Sequence, residues 1–409
     1  MRIAVIGGGL AGCATACELA LAGHEVSLME RSGSVAAEAS FAPTGAIAAA
    51  MLAGFGPLAL AAAGQPPARA TPTDLLRPGR ARWAHQSRKP HPGTARHAQV
   101  LAQESPLRLT ALAHHHQLAL EDSHQAASLL VLFTTARARS RVQKLATRQH
   151  SGPDSPWQVP EPLDADAAQA LEPGLATAAL KGGAWHLPGQ ALIHAHTLAH
   201  ALKDETRRLG AHIHFGQAVH RIEPGPPWRV EGQAYDAVVL CTGGLTLSGA
   251  GLPKPPLRPR WAMSLTAPLQ SMDHNLEQGP LAGPQGIVAD AQAGVVITRL
   301  GDRLRAATDC GWQAGDAATA RRLYECLERW FPGAARSARV QSWSHAVALT
   351  PDGLPLVGPA GDAPGLWLHL GLGLHGAAWA VAGAHRLARQ IGGAAPDALD
   401  AALAPSRWR

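Results

Sequence analysis

Residues 1–33 read MRIAVIGGGLAGCATACELALAGHEVSLMERSG, and their order of apolar run, glycines, helix-like stretch and second apolar run decides the fold. Ile3 to Ile6 are short, apolar and mostly β-branched, the pattern of a strand covered on both faces. LAGCATACELALAG is rich in Ala and Leu and closes on Gly23, which predicts a helix with a glycine at its C-terminal end. A second strand follows from about Glu25 to Met29 and leads into an acid, Glu30. This is a β-α-β unit in about 30 residues, a length typical of such units.

Gly7, Gly9 and Gly12 have the G-x-G-x-x-G spacing. The first glycine permits a tight turn out of the strand, the second lets a pyrophosphate approach the backbone, and the third lets helix and strand pack closely. Leu10, Ala11 and Gly12 then open a helix whose free amides and positive dipole end suit phosphates. Glu30, 18 residues beyond Gly12, is placed to accept hydrogen bonds from ribose hydroxyls. The motif predicts a dinucleotide site without choosing between FAD and NAD.

At 409 residues the chain exceeds one core, so two to three domains are expected. A 46% hydrophobic and 16% charged composition is globular. The net charge of +6 is spread along the chain and only 4% of residues are aromatic, which argues against nucleic-acid binding. Five cysteines form no C-x-x-C pair, so neither disulfides nor structural zinc are expected, and Cys13 and Cys17 read as packed helix residues. The glycine motif begins directly after Met1, which predicts a cytoplasmic protein without a cleaved signal. Phe41 to Gly64 carries no charge, yet Gly45, Gly54, Gly56 and Pro57 interrupt it; a peripheral contact at the inner face of a membrane suits it better than a span.

Further along, 65–92 reads as a loop-rich connection, Gly93 to Leu120 as a helix, SLLVLFTT as a strand, and Asp164 and Asp166 as the start of a helix. A helix is expected from about His194 to Leu209 and a strand from His212 to Phe215. YDAVVLCTGG repeats the opening theme, an apolar strand ending at Thr242, Gly243 and Gly244. WLHLGLGLHGAAWAVAGAHRLARQIGG gives a strand, a second glycine turn and a helix from near Gly376, hence a second helix end free to meet an anion or a flavin carbonyl. Two such sites at opposite ends of one chain favour a large cofactor.

These pieces, with AEASFAPTGAI, LEPGL, GGAWHLPG and TPDGLPLVGPAG in the same order from Met1 to about Gly393, resemble the FAD-dependent D-amino-acid dehydrogenase, glycine oxidase and sarcosine oxidase (DAO) family. The resemblance implies an α/β fold: a Rossmann-like FAD-binding domain built from discontinuous segments (1–80, 190–250 and 345–409) and a mixed-sheet α+β substrate domain (81–189 and 251–344). It implies that Ser40 to Gly45, including Thr44, pass beside the flavin and its phosphates. Arg31 follows the ribose acid, a strand at Ala218 and Val219 meets adenine, and Gly371, Gly373, Leu374 and Gly376 face the flavin edge. The implied chemistry is oxidation of the C–N bond of a small amine or amino acid to an imine, with oxygen, a quinone or a protein as final electron acceptor.

Departures fall in the substrate half. Val347 stands where relatives carry an arginine for the substrate carboxylate; Pro43-Thr44 replaces Asn-Ala, and Trp261-Ala262 replaces Lys-Gly. Losing a charge-assisted pair forfeits about 1.5–3 kcal/mol, so an altered substrate is expected. The alternatives are a non-catalytic FAD-binding subunit and, less suited to the second glycine turn, an NAD-dependent dehydrogenase. Among Arg299, Arg303 and Arg305, one residue could replace the missing arginine, Arg305 being the candidate. His375, in the second glycine turn, and His345 are candidate bases. His196 and His200 share one helix face and His212 and His214 one strand face, but no carboxylate joins them; they read as solvated surface and no metal is expected.

Overall fold

The computed structural model describes residues 1–48, 93–116, 124–149, 159–244, 252, 254–269, 283–335, 339–361 and 363–408. The loop-rich connection, the end of the helix expected to reach Leu120 and most of the uncharged stretch from Phe41 to Gly64 lie outside them. No helix among the described residues is long and apolar enough to cross a membrane.

The first third of the chain contributes β1 (Arg2–Ile6), α1 (Leu10–Leu21), β2 (Glu25–Met29), β3 (Ala46–Ile47), α2 (Thr94–His116), β4 (His124–Leu132) and α3 (Ala136–Gln149). The middle contributes β5 (Glu161–Leu163), α4 (Ala165–Leu171), β6 (Ala184–Ile193), α5 (Ala195–Arg208), β7 (His212–His214), β8 (Ile222–Glu223), β9 (Trp228–Val230), β10 (Gln233–Tyr235) and β11 (Ala237–Leu240). The last third adds β12 (Arg258–Pro268), β13 (Ile287–Asp290), β14 (Val295–Leu300), β15 (Arg303–Gly311), α6 (Ala317–Trp330), β16 (Gln341–Leu349), β17 (Leu356–Pro359), β18 (Leu366–Leu370), α7 (Gly376–Ile391) and α8 (Ala398–Leu403).

Two large sheets organise these elements. The first has the order β17-β18-β11-β1-β2-β7, parallel except where β17 pairs with β18. Its strands are apolar at successive positions because both faces are covered. Ile3 and Val5 pack among residues of α1, α5 and α7, while Ala4 and Ile6 pack against Trp228, Val230 and Tyr235 of the small sheet β10-β9-β8. The carboxyl ends of β1, β11 and β18 therefore lie side by side, the edge at which ligands bind in open α/β sheets.

The second sheet is mixed, ordered β16-β12-β15-β14-β13-β4-β6-β3, with β5 added on β6. Alternation sorts its two faces. Met263, Leu265, Leu304, Ala306 and Ile297 point toward α6, burying Leu323, Leu327 and Trp330. The opposite face carries Thr266, Arg305 and Thr298, which are cross-strand partners, together with Trp343, His345 and Val347 of β16.

Three details differ from the sequence reading. Ala218 and Val219 are not in a strand: that stretch is irregular, tied instead by Gln217 N–H to the Glu30 carbonyl at 2.9 Å and by the amides of His220 and Arg221 to the Glu231 carboxylate. The strand expected through Phe215 ends at His214. The borders drawn at 189/190 and 344/345 fall inside β6 and β16.

Candidate active site

The opening glycines form the cradle the spacing predicts. Gly7 leaves β1 with φ +107°, and a Cβ there would meet the Cys241 carbonyl oxygen at 2.6 Å; a Cβ on Gly12 would stand 1.7 Å from the Gly7 carbonyl oxygen. Gly9 is different. A Cβ there would approach only Ser40 Oγ, at 3.4 Å, so the space over Gly9 is open. The amide of Leu10 donates to Ser40 Oγ at 3.0 Å, while Ala11 and Gly12 supply the remaining first-turn amides of α1. Ser40 thus sits at the start of α1, beside the opening glycines.

Glu30, at the end of β2, is buried, and its two carboxylate oxygens accept from the amides of Gly8 at 2.6 Å and Ser32 at 2.7 Å. A carboxylate has further lone pairs to offer a ribose hydroxyl. Arg31 is exposed and pairs with Glu38. Thr242 and Gly243 follow β11, whose end is tied to β1 through Cys241 N–H and the Ile6 carbonyl at 2.8 Å. Val219, though outside a strand, packs in the same cluster as Met29 and Ile6.

The second glycine turn follows β18. Gly371 leads through Leu372, bridged to Leu349 of the second sheet, into a 3-10 turn of Gly373, Leu374 and His375, and Gly376 begins α7. His375 makes no capping bond to the helix it precedes; its ring lies 5.2 Å from that of Trp379, and burial pushes its pKa down to about 4.

The chain from Ser40 to Gly45 joins the cradle to the second sheet. Arg305 donates Nη1 to the Pro43 carbonyl at 2.9 Å and Nε to Thr266 Oγ1 at 3.1 Å, and Thr298 Oγ1 donates to the Thr44 carbonyl at 3.0 Å. Gly45 then pairs with Ile193, whose amide donates to the Gly45 carbonyl at 2.8 Å. Phe41 packs between His196, 5.4 Å away edge-on, and Trp343, 5.1 Å away. His345 lies two residues beyond Trp343 on the same strand face, with Nδ1 buried and unpartnered.

Charge on this face is unevenly settled. Arg260, the register partner of Val347, is neutralised by Asp309, whose oxygens its Nε meets at 2.9 and 2.8 Å. Arg305 is 6% exposed and makes no ion pair with any carboxylate among the described residues. Burial lowers its pKa to about 10, and burial together with its charge pushes His194 and His345 down to about 4 and lowers His196 as well. These imidazoles are neutral at neutral pH.

The sequence reading had singled out Arg305 and His345, and both are here. Arg299 bonds the nearby Gly301 carbonyl, and Arg303 is exposed beside Asp302, its charge still bearing on Arg305 and His194. His196 is not the solvated residue expected from its helix pattern: it stands against Phe41, with His200 stacked 4.6 Å behind it. His194, Thr266, Thr298 and Trp343 carry no mark in the sequence, because no local spacing sets them apart, and Phe41 enters only as part of the Ser40 to Gly45 stretch. Among the described residues no group of three His, Cys, Asp or Glu side chains converges as a metal site.

Residues 2–390 match the family described as FAD dependent oxidoreductase (DAO). The chain belongs to that family. A D-amino acid dehydrogenase of Cereibacter sphaeroides is 30% identical over 438 residues, covering 100% of this chain and 95% of the relative; one from Methylobacterium nodulans is 29% identical, covering 100% and 99%. Among solved structures, glycine oxidase from Geobacillus kaustophilus superposes with a TM-score of 0.73 at 21% identity, covering 99% of each chain, and iminodiacetate oxidase from Chelativorans sp. BNC1 with 0.66 at 18%, covering 97% and 96%. The fold is therefore the Rossmann-like FAD fold of DAO proteins, and the cofactor is FAD rather than NAD. The residues fit it: open space over Gly9, free first-turn amides, an acid at the end of β2 and a second glycine turn alongside.

Proposed function

We propose that the protein oxidises the C–N bond of an amine or amino acid to an imine, which water then hydrolyses. The observation that carries this reading is the placement of Ser40–Gly45, which leads from the phosphate cradle directly onto the polar, aromatic-walled face of the second sheet. FAD bound along this path supplies the electron sink for the substrate's Cα–N bond.

The chain's own residues bind, orient and keep the amine unprotonated. Phe41, Trp343 and His196 form an aromatic wall along the site. Arg305 brings positive charge to a buried place, which disfavours an ammonium beside it. The imidazole of His345 on the same strand face is neutral, its Nδ1 buried and unpartnered, so it adds no second positive charge beside the amine. His375 stands at the start of α7, with its ring turned toward Trp379 rather than onto the helix amides. Val347, beside an Arg260 already engaged by Asp309, offers no anchor for a carboxylate, so the substrate differs from an ordinary amino acid bound there.

The same two residues favour the second reading, a FAD-binding subunit whose substrate site has decayed. One experiment separates them. The absorption spectrum of the purified protein is recorded from 300 to 550 nm and again after anaerobic addition of D-amino acids, glycine, sarcosine and small amines. Bleaching of a flavin band supports the oxidoreductase; a flavin band that survives the whole panel supports the subunit. Reoxidation of a bleached sample by oxygen, by a quinone or only by an added protein fraction then identifies the class of acceptor.

A further inference from the structure

Buried charges in folded proteins are paired or lost. Arg305 breaks that rule among the described residues. Its guanidinium has five donors; one reaches Thr266 Oγ1, one reaches the Pro43 carbonyl, and Nη2 donates to none of them. It is held rigidly by two bonds and lacks the anion that a 6% exposed arginine requires. Farther along the same face, His345 Nδ1 is also buried and has no partner. Register sets these groups along one face of the second sheet, Arg305 opposite Thr266, Trp343 opposite Ser264 and His345 opposite Ala262, with Pro43 held against Arg305 and Phe41 against Trp343 and His196. Three N–H groups are left over, two on Nη2 and one on Nη1, and a planar carboxylate can take one from each nitrogen as a paired fork.

We propose that Arg305 is the carboxylate anchor of this site, taking an acid group that position 347 no longer binds. The two positions are not equivalent. Across β12, Val347 pairs with Arg260 whereas Arg305 pairs with Thr266, six residues along, or about 20 Å at 3.4 Å per residue. An acid held by Arg305 therefore lies at the opposite end of the face from one held at 347, and the substrate is an amino acid bound in the reverse sense or one whose acid is separated from the reacting carbon. The inference rests on the oxidoreductase reading for the word substrate, but not for the binding itself.

The test uses the FAD-loaded protein with benzoate and its neutral isostere benzamide, followed both by perturbation of the flavin band and by calorimetry. Benzoate is expected to bind about 10- to 100-fold more tightly than benzamide. Arg305→Met is expected to abolish that preference while leaving benzamide binding unchanged, and Arg305→Lys to restore only part of it, since an ammonium cannot form the paired fork. Equal binding of the two probes to the unaltered protein overturns the proposal, as does a preference that survives Arg305→Met. Should Arg305→Met fail to retain FAD, Arg305→Gln serves instead: loss of the benzoate preference with benzamide unchanged supports the anchor, and a preference that survives overturns it. A protein without a flavin band speaks against the oxidoreductase reading, and calorimetry still decides the anchor.

Discussion

Gly12 and Gly7 touch so closely that a single carbon cannot be added between them: a Cβ on Gly12 would stand 1.7 Å from the Gly7 carbonyl oxygen, whereas one on Gly9 would meet nothing nearer than Ser40 Oγ at 3.4 Å. Two glycines of one motif thus have separable duties. Gly9→Ala should fold with unchanged thermal stability when stripped of cofactor, yet lose most of its FAD. Gly12→Ala should lose about 3 kcal/mol or more of stability, because backbone must move. FAD content and apoprotein melting, measured side by side, check both.

Ser40 links the cradle to the rest of the site through one hydrogen bond from Leu10 N–H. Ser40→Ala should cost about 1 kcal/mol, the usual effect of losing a polar partner for a helix-start amide, and should weaken FAD binding. Urea unfolding of the apoprotein and flavin release on dilution are the measurements. An unchanged FAD affinity would remove Ser40 from the phosphate end.

Acid should destabilise this protein at a mild pH. His194, His345, His369 and His375 are each held at about 4 in the folded chain, against an ordinary value of 6.5, with burial as the main cause. The unfolded chain therefore binds more protons between those values, so the stabilising contribution is complete above about pH 6.5 and is lost as pH falls toward 4. Melting temperature should fall steadily across that window. His369 is fully buried, its Nδ1 meeting Thr15 Oγ1 at 2.9 Å, and His369→Asn should make the fall shallower.

Val347→Arg tests the altered-substrate reading directly. The new guanidinium would face Arg260, but Asp309 already neutralises that residue and limits the repulsion. Flavin bleaching by D-alanine should then appear or its KM fall by about tenfold or more, as expected for one regained charge-assisted pair. No change in KM would show that position 347 does not face the substrate.

What could be read in the sequence follows the range of the interactions involved. The unit β1-α1-β2 was legible because strand, glycines, helix and acid act within about 30 residues, and Ser40 and Thr44 were legible only by resemblance. The second sheet's inner face was not, since Arg305 meets Pro43 across 262 positions and Phe41 finds Trp343 and His196 only through the fold. A strand at Ala218 and Val219 is implied by resemblance alone, and ties from Glu30 and Glu231 set the backbone there instead of a ladder. His196 carries no local mark separating a surface histidine from one that lines a cleft.

The stretch from Ser40 to Gly45 is anchored at both ends, by Leu10 N–H at the start of α1 and by Ile193 in the second sheet. Five peptide steps reach at most about 18 Å. The segment therefore acts as a molecular ruler: a ligand fragment that fills only the glycine cradle leaves the far anchor untouched, and only a molecule long enough to lie beside the whole segment is gauged by both sheets at once.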